Sequence, residues 1–188
     1  MTKGKNVTVA LIGASVSADI GTINAQAFRP LPDDHPCYRL VGLVAAETAR
    51  VEKLIDQSIC NVADIDSKVG ACLTGQMIGP TPRFNALQQL ARNRGISDAL
   101  LKRIKTTGGH SNKHFDRRNR AVHDPWLEDA QTGAAYQDRG KPKSDPSFGP
   151  TPVSEQELKN TLEEMRKYRS EVSDLVADIW VELNSSSP

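Results

Sequence analysis

Three arginines, an asparagine and a histidine fall within the seven residues Arg117-Arg118-Asn119-Arg120-Ala121-Val122-His123, and Asp124-Pro125-Trp126 follow at once. Guanidinium groups bind and neutralise phosphate oxygens, and an imidazole moves protons near neutral pH, so this set points to chemistry on a phosphate ester. On a helix, Asn119 and His123 stand four residues apart and share a face, which lets the amide steady the imidazole. Arg118 lies five residues before His123, about 140° round the axis and one and a half turns along it. Pro125 has to end the helix, so His123 occupies its last turn, where the carbonyl end favours a cationic imidazole. The plainer reading of the same residues is a solvated basic turn, with His123 as a C-terminal cap and Trp126 folded back as a core plug.

Other clusters carry less chemistry. Ile12-Gly13-Ala14-Ser15 with Gly21 looks like a strand entering a dinucleotide-binding turn, but it lacks three correctly spaced glycines, and a proline-rich stretch arrives before any second strand. Gly70 and Gly75 have phosphate-loop spacing without the Lys and Ser or Thr that would meet phosphate and magnesium, so they read as small residues that let helices approach closely. His110 and His114 stand one helical turn apart with no third ligand nearby, which makes them surface or loop histidines rather than a metal site, and no metal or cofactor is expected. Cys37, Cys60 and Cys72 are odd in number and show no CxxC spacing, so they read as reduced core cysteines.

The elements that must position the arginine-histidine segment follow from the apolar spacing. At 188 residues the chain is long enough for one domain with a core. With 24 basic and 23 acidic residues, any nucleic-acid role has to rest on local clustering. The first apolar run, Val7 to Ile12, is a short strand in an extended arm and is too short for a leader core or a membrane span. A soluble, cytoplasmic protein without a membrane partner is expected. Arg29 to Pro36 holds three prolines and reads as a linker, so residues 1–35 form an arm and the helical domain covers 36–184.

Within that domain Leu40, Val44, Val51, Leu54, Ile55 and Ile59 predict a first helix to Cys60. Asp64 or Asp66 opens a second, Pro82 begins a third, and Ser97-Asp98 begin a fourth that Gly108-Gly109 should kink or break before it resumes toward Val122. Trp126 to Gln137 is expected as an irregular or hairpin insertion, and Asp138 to Pro152 as a mobile loop. Ser154 and Glu157 form a capping box, with Val153 and Leu158 at staple positions, and Leu162, Met165, Tyr168, Val172, Leu175, Ile179 and Leu183 then make one long stripe. Residues 185–188 read as a frayed tail.

Arg118-Asn119 followed by His123 resembles the motif of the HEPN family: an arginine, a polar residue that is often asparagine, and a histidine after four to six intervening positions near the end of a bundle helix. Several helices before the motif and a long one after it are similar to that family as well, over roughly residues 36–184. The resemblance implies an all-α up-and-down helical bundle acting as a metal-independent endoribonuclease, in a toxin-antitoxin or defence setting. It implies that His123 is the general acid-base, that Arg118 stabilises the scissile phosphate, and that Asn119 orients the site. Lys113, Arg117 and Arg120 would be supporting RNA phosphate contacts. It further implies a homodimer with a composite active site at its interface, RNA as substrate, and an antitoxin or other protein partner. Arg117 also stands at an allowed distance before His123, and Asn119 favours Arg118 over it. The alternative is a HEPN-like module that binds RNA, nucleotide or protein without cutting.

Overall fold

The computed structural model describes residues 27–141 and 147–185. In chain order the elements are β1 (Phe28–Pro30), α1 (Pro36–Ala63), α2 (Ser67–Thr74), α3 (Pro80–Asn93), α4 (Asp98–His123), β2 (Trp126–Asp129), β3 (Ala135–Lys141), β4 (Ser147–Pro152) and α5 (Glu155–Ser185). The expected arm strand at Val7 to Ile12 lies outside the described residues. Ser185, expected in the tail, is the last helical residue. The protein is an all-α bundle with a small antiparallel sheet, and the two form separate compact units.

The helices start where their first residues can satisfy free backbone donors. His35 caps α1, its Nδ1 accepting from the Cys37 amide at 3.2 Å, with Pro36 in the first turn. The Asp66 carboxylate accepts from the Lys68 and Val69 amides at 2.7 and 3.1 Å and starts α2. Ser154 Oγ accepts from the Glu157 amide at 3.1 Å, while Val153 and Leu158 are both buried, as the capping box and staple predict for α5. At the start of α4 the Ser97 side chain makes no cap bond of its own. Glu182 of α5 accepts from the Ser97 amide and from its hydroxyl, at 2.9 Å for the latter, and so joins two helix ends.

Apolar faces of α1, α3, α4 and α5 close on one core around Val51, Ile55, Leu87, Ile104, Val172 and Leu175. The direction of each helix can be read from its polar partners. Thr81 bonds Asn112 and Gln88 bonds the Leu101 carbonyl, so α3 and α4 are antiparallel. Between α4 and α5 the pairs are Arg103 with Asp178, His110 with Glu171, and Arg117 with Glu164. Each pair is seven residues from the next on both helices, so two turns separate the rungs of an antiparallel ladder. Among the described residues no helix is long and apolar enough to cross a membrane.

Gly108-Gly109 do not break α4, which runs unbroken from Asp98 to His123. Gly108 is needed for packing: a Cβ there would lie 2.9 Å from both Cβ and Cγ of Phe84 on α3. A Cβ on Gly109 would meet nothing within 4 Å. Adjacent glycines therefore carry opposite predictions. Gly108→Ala should lose about 1–2 kcal/mol, because crowding outweighs the better helix propensity, and Gly109→Ala should gain about 0.5–1 kcal/mol. Urea unfolding of the two variants checks both, and stabilisation by Gly108→Ala would contradict the packing account. Gly70 likewise lets α2 approach α1, since a Cβ there would fall 2.1 Å from Cys60 Sγ.

The sheet unit contains the hairpin expected after α4 and places strands where a linker and a mobile loop are expected, four strands in the order β1-β2-β3-β4. β2 and β3 form the hairpin, turning through Gly133 at φ 69°. Residues 142–146 of the expected loop lie outside the described residues, but the segments on either side pair from Tyr136 with Pro152 to Lys141 with Ser147. Of the prolines that suggest a linker and a loop, Pro36 opens α1, while Pro30, Pro150 and Pro152 sit on β1 and β4, the two edges. A missing N–H is tolerated there.

Candidate functional site

The expected site residues Arg117, Arg118, Asn119, Arg120 and His123 occupy the last two turns of α4, and Lys113 stands one turn before them. The Asp124 amide donates to the Arg120 carbonyl at 3.1 Å and closes the helix, and Pro125 follows. Asn119, Arg120 and His123 are exposed, and Arg118 is half-buried. Arg118 Nη1 donates to Asn119 Oδ1 at 2.9 Å, while its Nε is buried with no hydrogen-bond partner among the described residues. The amide oxygen that the four-residue spacing offers to His123 is thus engaged by the arginine beside it.

Arg117 and Lys113 face α5 instead. Arg117 Nη1 donates to Glu164 Oε2, and Lys113 Nζ lies 3.5 Å from the same oxygen. The bonded Arg117 guanidinium, with Lys113 adding to it, holds the Glu164 carboxyl below the usual carboxylate range against the opposing effect of its partial burial. Two of the three expected supporting contacts therefore share one partly exposed carboxylate of α5. The structure separates the adjacent arginines by direction: Arg117 pairs with α5, and Arg118 bonds Asn119 in the motif.

One turn further back, α4 carries its other two histidines. His110 is exposed and lies 3.3 Å from Glu171, whose same oxygen accepts from Thr107 Oγ1 at 2.8 Å. His114 is half-buried and stacks on Tyr168 of α5 with ring centroids 4.5 Å apart and planes 16° apart. The Tyr168 hydroxyl donates to the Thr107 carbonyl at 3.0 Å, and burial pushes its phenol up. Among the described residues no three His, Cys, Asp or Glu side chains converge as metal ligands.

Burial pulls His114 below its ordinary value of 6.5, with Lys113 and Arg117 adding to the effect against Glu164 and Glu171. The unfolded chain then binds more protons than the folded one just below pH 6.5, so stability falls as pH drops through that window. Glu164 acts in the same direction only below its ordinary value of 4.5, where its ion pairs are lost. His114→Phe keeps the stacking without the titration. Urea unfolding between about pH 7 and 5 should show a shallower pH slope in this variant than in wild type. An identical slope would contradict the assignment.

Sequence reasoning missed the most heavily buried charge of the bundle. Glu47 of α1 is 5 % exposed, yet it faces Arg50 at 2.7 Å and, on α5, Arg169 at 2.8 Å and Arg166 at 3.8 Å. Glu47 Oε2 and Arg169 Nε are close but poorly aligned, and neither makes a hydrogen bond. The available signal is an acid at a stripe position between Val44 and Val51. A cleft of about 420 Å³ between α1 and α2 is lined by Lys53, Asp56, Gln57, Cys60, Asn61 and Thr74 among others, and none of the expected site residues reaches it. Of the three cysteines expected in the core, Cys37 is buried and Cys60 partly so, but Cys72 is exposed, because the short α2 buries only Gly70 and Thr74.

Comparison of the chain with family models, with curated proteins and with solved structures finds no match.

Proposed function

We propose that this protein is a HEPN-type endoribonuclease whose site is Arg118, Asn119 and His123, completed by the same residues of a second copy, and that it serves a toxin-antitoxin or defence role. The observation that carries the reading is an exposed His123 in the last turn of α4, together with an Arg118 held by Asn119 one to two turns before it. No hydrogen bond or ion pair ties down the imidazole among the described residues, so it is free to meet substrate.

The reaction that uses these groups is internal transesterification of RNA. The 2′-hydroxyl attacks the neighbouring phosphorus as an imidazole takes its proton, and a new P–O bond forms. The bond to the 5′-oxygen then breaks, and that oxygen takes a proton from an imidazolium. The products are a 2′,3′-cyclic phosphate and a free 5′-hydroxyl. Arg118 offsets the charge that builds on the phosphoryl oxygens. The nucleophile belongs to the substrate, which restricts the reaction to RNA. One histidine serves poorly as base and acid in the same turnover, and a second copy supplies the other.

The competing reading, a HEPN-like module that binds without cutting, draws support from Glu164, which neutralises part of the charge of Lys113 and Arg117. Single-stranded RNA incubated with wild type and with His123→Ala, in excess chelator, separates the two. Cleavage that depends on His123 supports the nuclease, and RNA binding without cleavage supports the module.

A further inference from the structure

Charge is segregated between the two long helices that form the ladder. α4 carries seven Lys and Arg against two Asp, whereas α5 carries eight Asp and Glu against four Lys and Arg. The α4 cations that face α5 are consumed there, Arg103 by Asp178 and both Lys113 and Arg117 by Glu164. What α5 leaves open is the outer stripe of α4, exposed at Lys102, Lys105, Gly109, Asp116, Asn119 and His123 with steps of three, four or seven residues. Neither Lys102 nor Lys105 has an ion-pair partner among the described residues. The acids on this face are Asp98, four residues before Lys102, and Asp116; Asn112, bonded to Thr81 of α3, lies between the lysines and the motif, and Gly109 places no side chain beside Lys105.

From this segregation we infer that the outer stripe of α4 is a track for the phosphates of a single RNA strand, with Lys102 and Lys105 binding it well away from the bond that is cut. The inference rests on the nuclease reading of Arg118, Asn119 and His123 and adds to it where the rest of the substrate lies. Lys105 precedes His123 by eighteen residues, a rise of about 27 Å along the helix. Only a strand of several nucleotides spans that distance, so the site favours longer single strands over very short ones. Lysines at this distance add affinity through counterion release without reading base sequence.

The test is the salt dependence of binding to 2′-O-methyl strands, which lack the attacking hydroxyl and stay intact on wild-type protein. Strands of about 4 and about 16 nucleotides, the two ends of the common site-size range, are compared by fluorescence anisotropy. For the longer strand, Lys102→Gln/Lys105→Gln should make the slope of log affinity against log salt shallower by about 1.4, or about 0.7 for each lost contact. The shorter strand should show a smaller change. Lys68→Gln/Lys167→Gln removes the same charge from α2 and α5 and should leave the slope unchanged. Tight binding with an unchanged slope in the α4 variant, or an equal change in the control, overturns the track while leaving the nuclease reading intact. Failure of wild type to bind either strand overturns both.

Discussion

Replacing Arg166 and Arg169 together by alanine is expected to cost about 1–3 kcal/mol of folding stability, because it leaves the buried Glu47 carboxylate to Arg50 alone. Glu47 has a side chain only 7 % exposed, whereas the arginines around it are 42–60 % exposed. The asymmetry decides the size of the effect. An arginine that loses Glu47 can turn its head to water, but Glu47 cannot follow, since α1 and α5 close over it. Glu47→Met keeps the volume and removes the charge, so it should cost much less than the double arginine variant and can even stabilise. Urea unfolding of the two variants measures the difference. Equal losses would mean that the pair acts by packing alone, and the account of a buried charge held by two helices would fail.

The second large effect concerns rate. Loss of a positioned acid-base group typically costs 10²–10⁴-fold, so His123→Ala should lower cleavage by at least about a hundredfold. On the proposed mechanism Arg118→Ala removes the group that meets the developing phosphoryl charge and should lower it by about 10²–10³-fold. Arg117→Ala should act differently despite being the adjacent residue. Its guanidinium is committed to Glu164, so the loss falls on the joint between α4 and α5 and appears as reduced stability rather than as a comparable loss of rate. Circular dichroism on each variant keeps the two effects apart. Cleavage that survives Arg118→Ala but not Arg117→Ala would reverse the assignment.

Much of the bundle is legible in the sequence because its rules are local. The capping box at Ser154 and Glu157, the Asp66 cap of α2 and the seven-membered stripe of α5 each act within one helix, and the folded chain keeps all three. The misreadings share one cause, which is that the deciding partner lies far along the chain. Gly108 suggests a break in α4 because its reason for being glycine is Phe84, on another helix. The prolines of β1 and β4 suggest linker and loop because the central strands that make them edges are distant in sequence. Glu47 resembles any helix-surface acid until Arg166 and Arg169 arrive from the far end of the chain. The same holds for the site. Arg118, Asn119 and His123 are close enough in sequence to be recognised together, whereas the commitment of Lys113 and Arg117 to Glu164 requires the fold.

We propose that His123 cuts RNA without a metal. The most direct test of this proposal is the incubation of wild type and His123→Ala with single-stranded RNA in excess chelator, with the product ends identified by mass. The account predicts cleavage by wild type that leaves 2′,3′-cyclic phosphate ends, and at least about a hundredfold less product from the variant. Cleavage of equal rate by both proteins, or none by wild type, would contradict it.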